Sequence, residues 1–142
     1  MFTLTYESHE VKRLSADEMK VLLENASEHN IKKEITGCLI YYKGRFIQIL
    51  EGEKEAVLEI YEKIKIDSRH KKVHLFSQDD ITNRTFPNWG MAYYPVDEND
   101  FNENELEQFK RNLLLLADLT TSKSVTASLF WKRIKFYLAH PD

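Results

Sequence analysis

The run Phe46-Ile47-Gln48-Ile49-Leu50-Glu51-Gly52 constrains the fold more than any other part of the chain. Alternation along a strand sends Phe46, Gln48 and Leu50 to one face and Arg45, Ile47 and Ile49 to the other. Gln48 therefore points where apolar residues point. An amide left unpaired there costs about 1–3 kcal/mol, so it is expected to meet a neighbouring side chain or a bound ligand with a polar rim, unless it is a structural Gln satisfied by backbone. Upstream, Cys38-Leu39-Ile40-Tyr41-Tyr42 followed by Lys43-Gly44 makes this strand the second arm of a hairpin that turns at the glycine.

The flanking segments supply the rest of a sheet. Residues 2–8 alternate, with Phe2, Leu4 and Tyr6 on one face and Thr3 and Thr5 on the other, and read as a first strand. Ser15 with Glu18 forms a capping box, and Met19, Leu22, Leu23 and Ala26 follow at helical spacing. The spacing predicts a helix over residues 15–29, closed by His29-Asn30, where Asn tolerates left-handed geometry and turns its amide inward. Val57, Ile60, Tyr61 and Ile64 predict a second amphipathic helix ending at Asp67. Strands are expected at 73–76 and, after Pro87, at 90–94. This order, βαββαβ(β), suits an α+β, ferredoxin-like βαββαββ sheet with two helices on one face.

The acidic connector Asp97-Glu98-Asn99-Asp100 separates a first unit, residues 1–96, from a helical hairpin in residues 97–142. Leu106, Phe109, Leu113 and Leu116 stripe one helix (104–119); Phe130, Trp131, Ile134, Tyr137 and Leu138 stripe the other (123–139). The sheet face carrying Ile47 and Ile49 is apolar and must be covered, so the hairpin is expected there.

A chain of 142 residues with a net charge of −3 fits one compact protein and offers no positive field for nucleic acid. Cys38 is the single cysteine, and His9, His29, His70, His74 and His140 are scattered, so neither a disulfide nor a metal cluster is expected. The amino terminus lacks a basic stretch followed by an apolar one, and no run approaches the length of a membrane span, which points to the cytoplasm and away from the membrane.

Several polar residues converge. Tyr6 and Gln48 share a face and come within hydrogen-bonding reach, an arrangement that by itself is most often structural. Asp67, Arg69 and His70 follow the second helix, so the ends of both helices flank one slot in which Arg69 can hold a phosphate; a solvated loop with local ion pairs is the alternative. Trp89 and Met91 follow the turn at Pro87-Asn88 and are equally ordinary core residues.

Taken together, Tyr6-Glu7-Ser8, His29-Asn30, Ile35-Thr36-Gly37, the Phe46-to-Gly52 run, Asp67-Ser68-Arg69-His70, Arg84-Thr85-Phe86 and Trp89-Gly90-Met91 resemble the BLUF family of blue-light sensors that use flavin, over about residues 2–94. The resemblance implies a flavin, usually FAD with FMN or riboflavin as alternatives, held between the helices. Tyr6 would be the light-dependent electron donor and Gln48 the switching partner. Asn30 would anchor the ring edge, with His29 beside it and Lys63 and Ile64 along the second helix. Asp67, Arg69 and His70 would serve the ribityl and phosphate end, and Trp89 or Met91 would relay the change. It also implies a photosensor rather than an enzyme, and the two terminal helices are the expected output surface, binding a downstream protein partner or setting a homo-oligomer. Two other readings stand beside it: an acylphosphatase-like hydrolase using Arg69 or Arg84, and a light-insensitive adaptor.

Overall fold

Among the described residues the elements run β1 (Phe2–Glu10), α1 (Ala16–Lys32), β2 (Thr36–Tyr42), β3 (Arg45–Gly52), α2 (Lys54–Ile66), β4 (His70–Asp80), β5 (Ala92–Val96), α3 (Glu103–Leu119) and α4 (Val125–Ala139). The computed structural model describes residues 1–42, 44–86, 92–96, 103–119 and 124–139. The strands join in the order β4-β1-β3-β2-β5. β1 pairs antiparallel with both β3 and β4, β3 pairs antiparallel with β2, and β5 runs parallel to β2. Each βαβ crossover skips one position, which lets β1-α1-β2 and β3-α2-β4 interleave in the ferredoxin-like manner.

Two glycines make the central hairpin possible. Gly44 has φ 78 at the turn, a left-handed geometry that glycine adopts without steric cost. Gly37 faces the β3 backbone so closely that a Cβ would lie 2.0 Å from the Ile49 carbonyl oxygen.

The capping box of α1 forms: Ser15 Oγ accepts from the Glu18 N–H at 3.1 Å, and Glu18 Oε1 accepts from the Ser15 N–H at 3.2 Å. The helix does not close at His29-Asn30, however; it runs to Lys32. Residues 31–33 carry nothing that opposes a helix, and the left-handed position falls to Glu34, with φ 54. The Ile35 N–H donates to the Asn30 carbonyl at 2.8 Å and the Glu34 N–H to the Ile31 carbonyl at 3.1 Å, a Schellman motif. Asn30 is thus a helical residue whose amide is aimed by the last turns of α1. A non-glycine residue at such a position costs about 1 kcal/mol. Glu34→Gly should therefore raise stability by about 1 kcal/mol, seen as a higher urea midpoint at unchanged slope. A midpoint that stays put or falls would contradict this account of the helix end.

β4 extends well beyond residues 73–76, spanning His70–Asp80. Its register against β1 shifts between Thr5 and Tyr6 and again between Glu7 and His9, and Lys72 has φ 51. These bulges break the alternation by which a strand is recognised, and with Lys71 and Lys72 they protect an edge strand from pairing with another chain. Of the strand expected at 90–94, residues 92–94 belong to β5, while 90 and 91 lie outside the described residues.

α1 and α2 cover the face bearing Phe2, Leu4, Tyr6, Leu39, Phe46 and Leu50. On the opposite face, Phe130, Trp131, Ile134 and Tyr137 of α4, with Leu113 of α3, pack over Cys38, Ile40, Ile47 and Ile49. The C-terminal helices thus cover the face expected of them, each large side chain contributing about 1.5–3 kcal/mol on full burial. Of the α3 stripe, only Leu113 has a described side chain; those of Leu106, Phe109 and Leu116 lie outside the description. Ser124 caps α4, its Oγ accepting from the Ala127 N–H at 3.3 Å, and Thr126 bonds Ser77 at 2.8 Å and Asp79 on β4.

Candidate functional site

A cavity of about 300 Å³ opens between α1 and α2 over the sheet. The strands supply Tyr6 from β1, Gln48 from β3 and His70 from the start of β4; α1 supplies His29 and Asn30; α2 supplies Lys63 and Ile64; the loop after α2 supplies Asp67 and Arg69. The structure therefore brings to one cavity all the residues expected at a cofactor. Trp89 and Met91, expected as relay residues, lie outside the described residues.

Strand register fixes the central pair. Tyr6 and Gln48 are direct partners across β1 and β3, and the Tyr6 hydroxyl donates to Gln48 Oε1. Thr5 Oγ1 donates to the Gln48 carbonyl at 2.8 Å from the other face, which locks the register. Both members are buried, Tyr6 at 1% and Gln48 at 6% exposure. Burial, reinforced by Tyr61 and Asp67, pushes the Tyr6 phenol far above its usual value, so it stays protonated. Asn30 is 3% exposed, yet among the described residues its carboxamide has no hydrogen-bond partner. A buried amide facing a cavity in this state calls for a ligand with both a donor and an acceptor edge.

Charge gathers at the outer end. Arg69 Nε donates to Asp67 Oδ1 at 3.0 Å and Nη2 to Oδ2 at 2.5 Å, and the Arg69 backbone N–H adds a bond of 2.9 Å to Oδ1. That clasp holds the Asp67 carboxyl down at about 2. His70 stacks edge-on against Phe46 with ring centres 4.9 Å apart, and Ser8 Oγ lies 2.8 Å from its Nδ1. Burial lowers the His70 pKa; Asp67 opposes this and Arg69 adds to it, in that order.

Leu22, Asn25, Ala26, Leu39, Phe46 and Ile60 also line the cavity and were not among the expected residues. Helical spacing back from His29 reaches Ala26, Asn25 and Leu22, and strand parity back from Gln48 reaches Phe46, so those signals were present. Arg84 does not reach the cavity. Its guanidinium is committed to Thr36 Oγ1 at 2.8 Å, the Glu51 carbonyl at 3.1 Å and the Glu34 carbonyl at 2.6 Å, which removes Arg84 from the anion-holding role that the hydrolase reading gave to it or Arg69. Cys38 is buried on the far face, where desolvation raises its thiol pKa and keeps it an inert neutral group.

A second polar cluster backs the first. Glu7, next to Tyr6 and so on the opposite face of β1, is 5% exposed. It accepts from the Tyr137 hydroxyl and from Arg133 Nη2 at 3.2 Å, with Arg45 Nε at 3.8 Å. Arg45 and Arg133 each sit 4.6 Å from the centre of the Tyr137 ring. Nearby, the Glu51 carboxylate accepts from the backbone N–H groups of Thr85, at 2.9 Å, and Phe86, at 2.5 Å, tying β3 to the segment that leads toward β5.

The profile of the BLUF family, sensors of blue-light using FAD, matches residues 1–92. The chain belongs to this family. It carries a flavin-binding blue-light sensor domain, and its relatives are light-regulated signalling proteins. The photoactivated adenylate cyclase subunit beta of Euglena longa is 36% identical over 85 residues, which is 60% of this chain and 10% of that protein. Among solved structures, a bacterial light-regulated adenylyl cyclase shares 35% identity with a TM-score of 0.67, covering 83% of this chain and 33% of that one. BlrB, a BLUF protein in its dark state, shares 29% identity with a TM-score of 0.65, covering 75% of this chain and 81% of that one. The chain spans about a tenth of the length of the curated relatives it matches. Among its described residues no cluster of three acidic, His or Cys side chains is placed to hold a metal, and no helix is long and apolar enough to cross a membrane.

Proposed function

We propose that the cavity between α1 and α2 holds the flavin, with Tyr6 and Gln48 as the photochemical pair. The observation that carries this reading is the Tyr6 hydroxyl donating to Gln48 Oε1 in the wall of a cavity whose Asn30 amide has no partner among the described residues. The residues fit the group. A phenol and two buried amides meet an aromatic ring with carbonyl and N–H edges, and the half-exposed Lys63 and Arg69 stand where a ribityl phosphate reaches solvent. Asn30 anchors the ring edge, His29 lies beside it, Ile64 packs against it, and Asp67 and His70 complete the outer end.

A bound flavin would supply a light-absorbing ring that can accept an electron and a proton reversibly. Tyr6, whose hydroxyl donates to Gln48 Oε1, would be the phenol that gives both up and takes both back, so that no net oxidation remains. Gln48 then turns or tautomerises, exchanging which edge of its amide donates, and β3 carries the new hydrogen-bond pattern. Gln48 gives the switch its chemistry because a carboxamide holds a donor and an acceptor on one planar group.

The output is a change in protein association. Residues 1–96 form the sensor and residues 97–142 the output surface, with Trp89 or Met91 relaying the change. A downstream protein, or a second copy in a homo-oligomer, reads the rearranged helices; the chain itself performs no catalysis and works in the cytoplasm. The purified protein should be yellow with flavin bands, which move to longer wavelength under blue light and return in darkness. Sedimentation with and without illumination should show a change in assembly size, alone or with its partner. A colourless protein after FAD is supplied, or bands that never move, would end this reading.

A further inference from the structure

Ser8 does not line the cavity, yet it decides what His70 offers there. It lies on β1 between Phe46 of β3 and the start of β4, and it is fully buried. Its Oγ is 2.8 Å from His70 Nδ1 and, among the described residues, has no other hydrogen-bond partner. Two neutral arrangements satisfy that distance. If Nδ1–H donates to Ser8, the serine proton is left as an unpaired buried donor, the costly outcome. If the serine O–H donates to Nδ1, every proton in the pair is used, and the ring's remaining hydrogen sits on Nε2. Nε2 has no protein partner among the described residues, and the ring lines the cavity, held from the side by the edge of Phe46.

We propose that Ser8 is a positioning residue that fixes His70 as the Nε2–H tautomer, so that the pocket presents a neutral N–H donor to an acceptor oxygen of the bound flavin's side chain. This rests on the reading of the cavity as the flavin site. The acceptor is a ribityl hydroxyl or a phosphate oxygen, both of which take a hydrogen bond from a neutral imidazole. Burial keeps the ring neutral near pH 7 despite Asp67, because Asp67 is already clasped by Arg69.

The test combines ring-nitrogen NMR on histidine-labelled apoprotein with titrations of riboflavin, FMN and FAD. Wild-type His70 should appear as the neutral Nε2–H form. Ser8→Ala should turn it into a mixture of tautomers and weaken flavin binding by roughly three- to tenfold, and Ser8→Thr, which keeps the hydroxyl, should restore both. Equal losses for riboflavin and FMN support a ribityl acceptor; a loss confined to FMN and FAD supports the phosphate. An Nδ1–H ring in the wild type, or a Ser8→Ala protein with unchanged tautomer and affinity, overturns the role of Ser8 while flavin binding stands. A wild type that binds no flavin overturns the reading of the cavity and the ligand assignment with it, while the tautomer measurement still judges the serine.

Discussion

Gln48→Leu should abolish the light-induced red shift while flavin stays bound, and Tyr6→Phe should do so by a different route. Leucine keeps much of the glutamine's volume but has no edge to exchange, so the wall of the cavity survives and the switch does not. Phenylalanine removes a single hydroxyl, the donor to Gln48 Oε1, and with it the phenol that supplies the electron. The two variants should differ in stability. Gln48→Leu strands the Tyr6 hydroxyl in a buried site, costing about 1–3 kcal/mol, whereas Tyr6→Phe leaves an amide oxygen that can turn toward the cavity and costs less. Because burial raises the phenol's pKa far above its usual range, the protonated form persists well above neutral pH, and the wild-type photocycle should show no titration assignable to Tyr6 near neutrality. Absorption spectra before and after blue light decide the matter. A full red shift in either variant would remove that residue from the mechanism.

Strand parity makes the centre of the cavity wall legible in the sequence. Tyr6 and Gln48 fall on one face because each is an even step from apolar neighbours, and Ile64 belongs to the apolar repeat of α2, whereas Asn30 reads as a helix-closing residue and Lys63 follows only from the resemblance to the family. Where long-range contacts or backbone strain take over, the sequence carries little signal. The end of α1 was misplaced because the left-handed residue is Glu34 rather than an Asn or Gly, and β4 was cut short because two bulges interrupt its alternation. Ser8 enters the sequence reading only as the end of the Tyr6-Glu7-Ser8 motif; its meaning depends on a histidine 62 positions away. Glu7 was hardest to read. A glutamate in a strand is expected to face water, and what holds it inside comes from α4, more than 120 positions further along the chain.

That buried glutamate sets up the largest structural effect expected here. Glu7→Ala should lower stability by about 2–4 kcal/mol, or roughly 3 °C of melting temperature for each kcal/mol in a chain of this size. Removing one partner leaves two guanidinium groups and the buried Tyr137 hydroxyl without their acceptor, and the loss falls below the full penalty for a buried ion pair because Arg45 and Arg133 are 33% and 37% exposed. Glu7→Gln keeps an acceptor for Tyr137 while removing the charge, so its cost should be smaller, about 1–2 kcal/mol. The consequence for signalling follows from geometry. Tyr6 and Glu7 are consecutive on β1, paired with Gln48 and Ile47 on β3, so a shift in the Tyr6–Gln48 bond on one face of the sheet moves the backbone that presents Glu7 to α4 on the other. Hydrogen exchange of α4 amides in dark and light is the measurement: illumination should change their protection in the wild type, and Glu7→Ala should show weak protection in both states. A variant as stable as the wild type, with the light-dependent difference intact, would mean that α4 is held by its apolar face alone and that the signal leaves the sheet elsewhere.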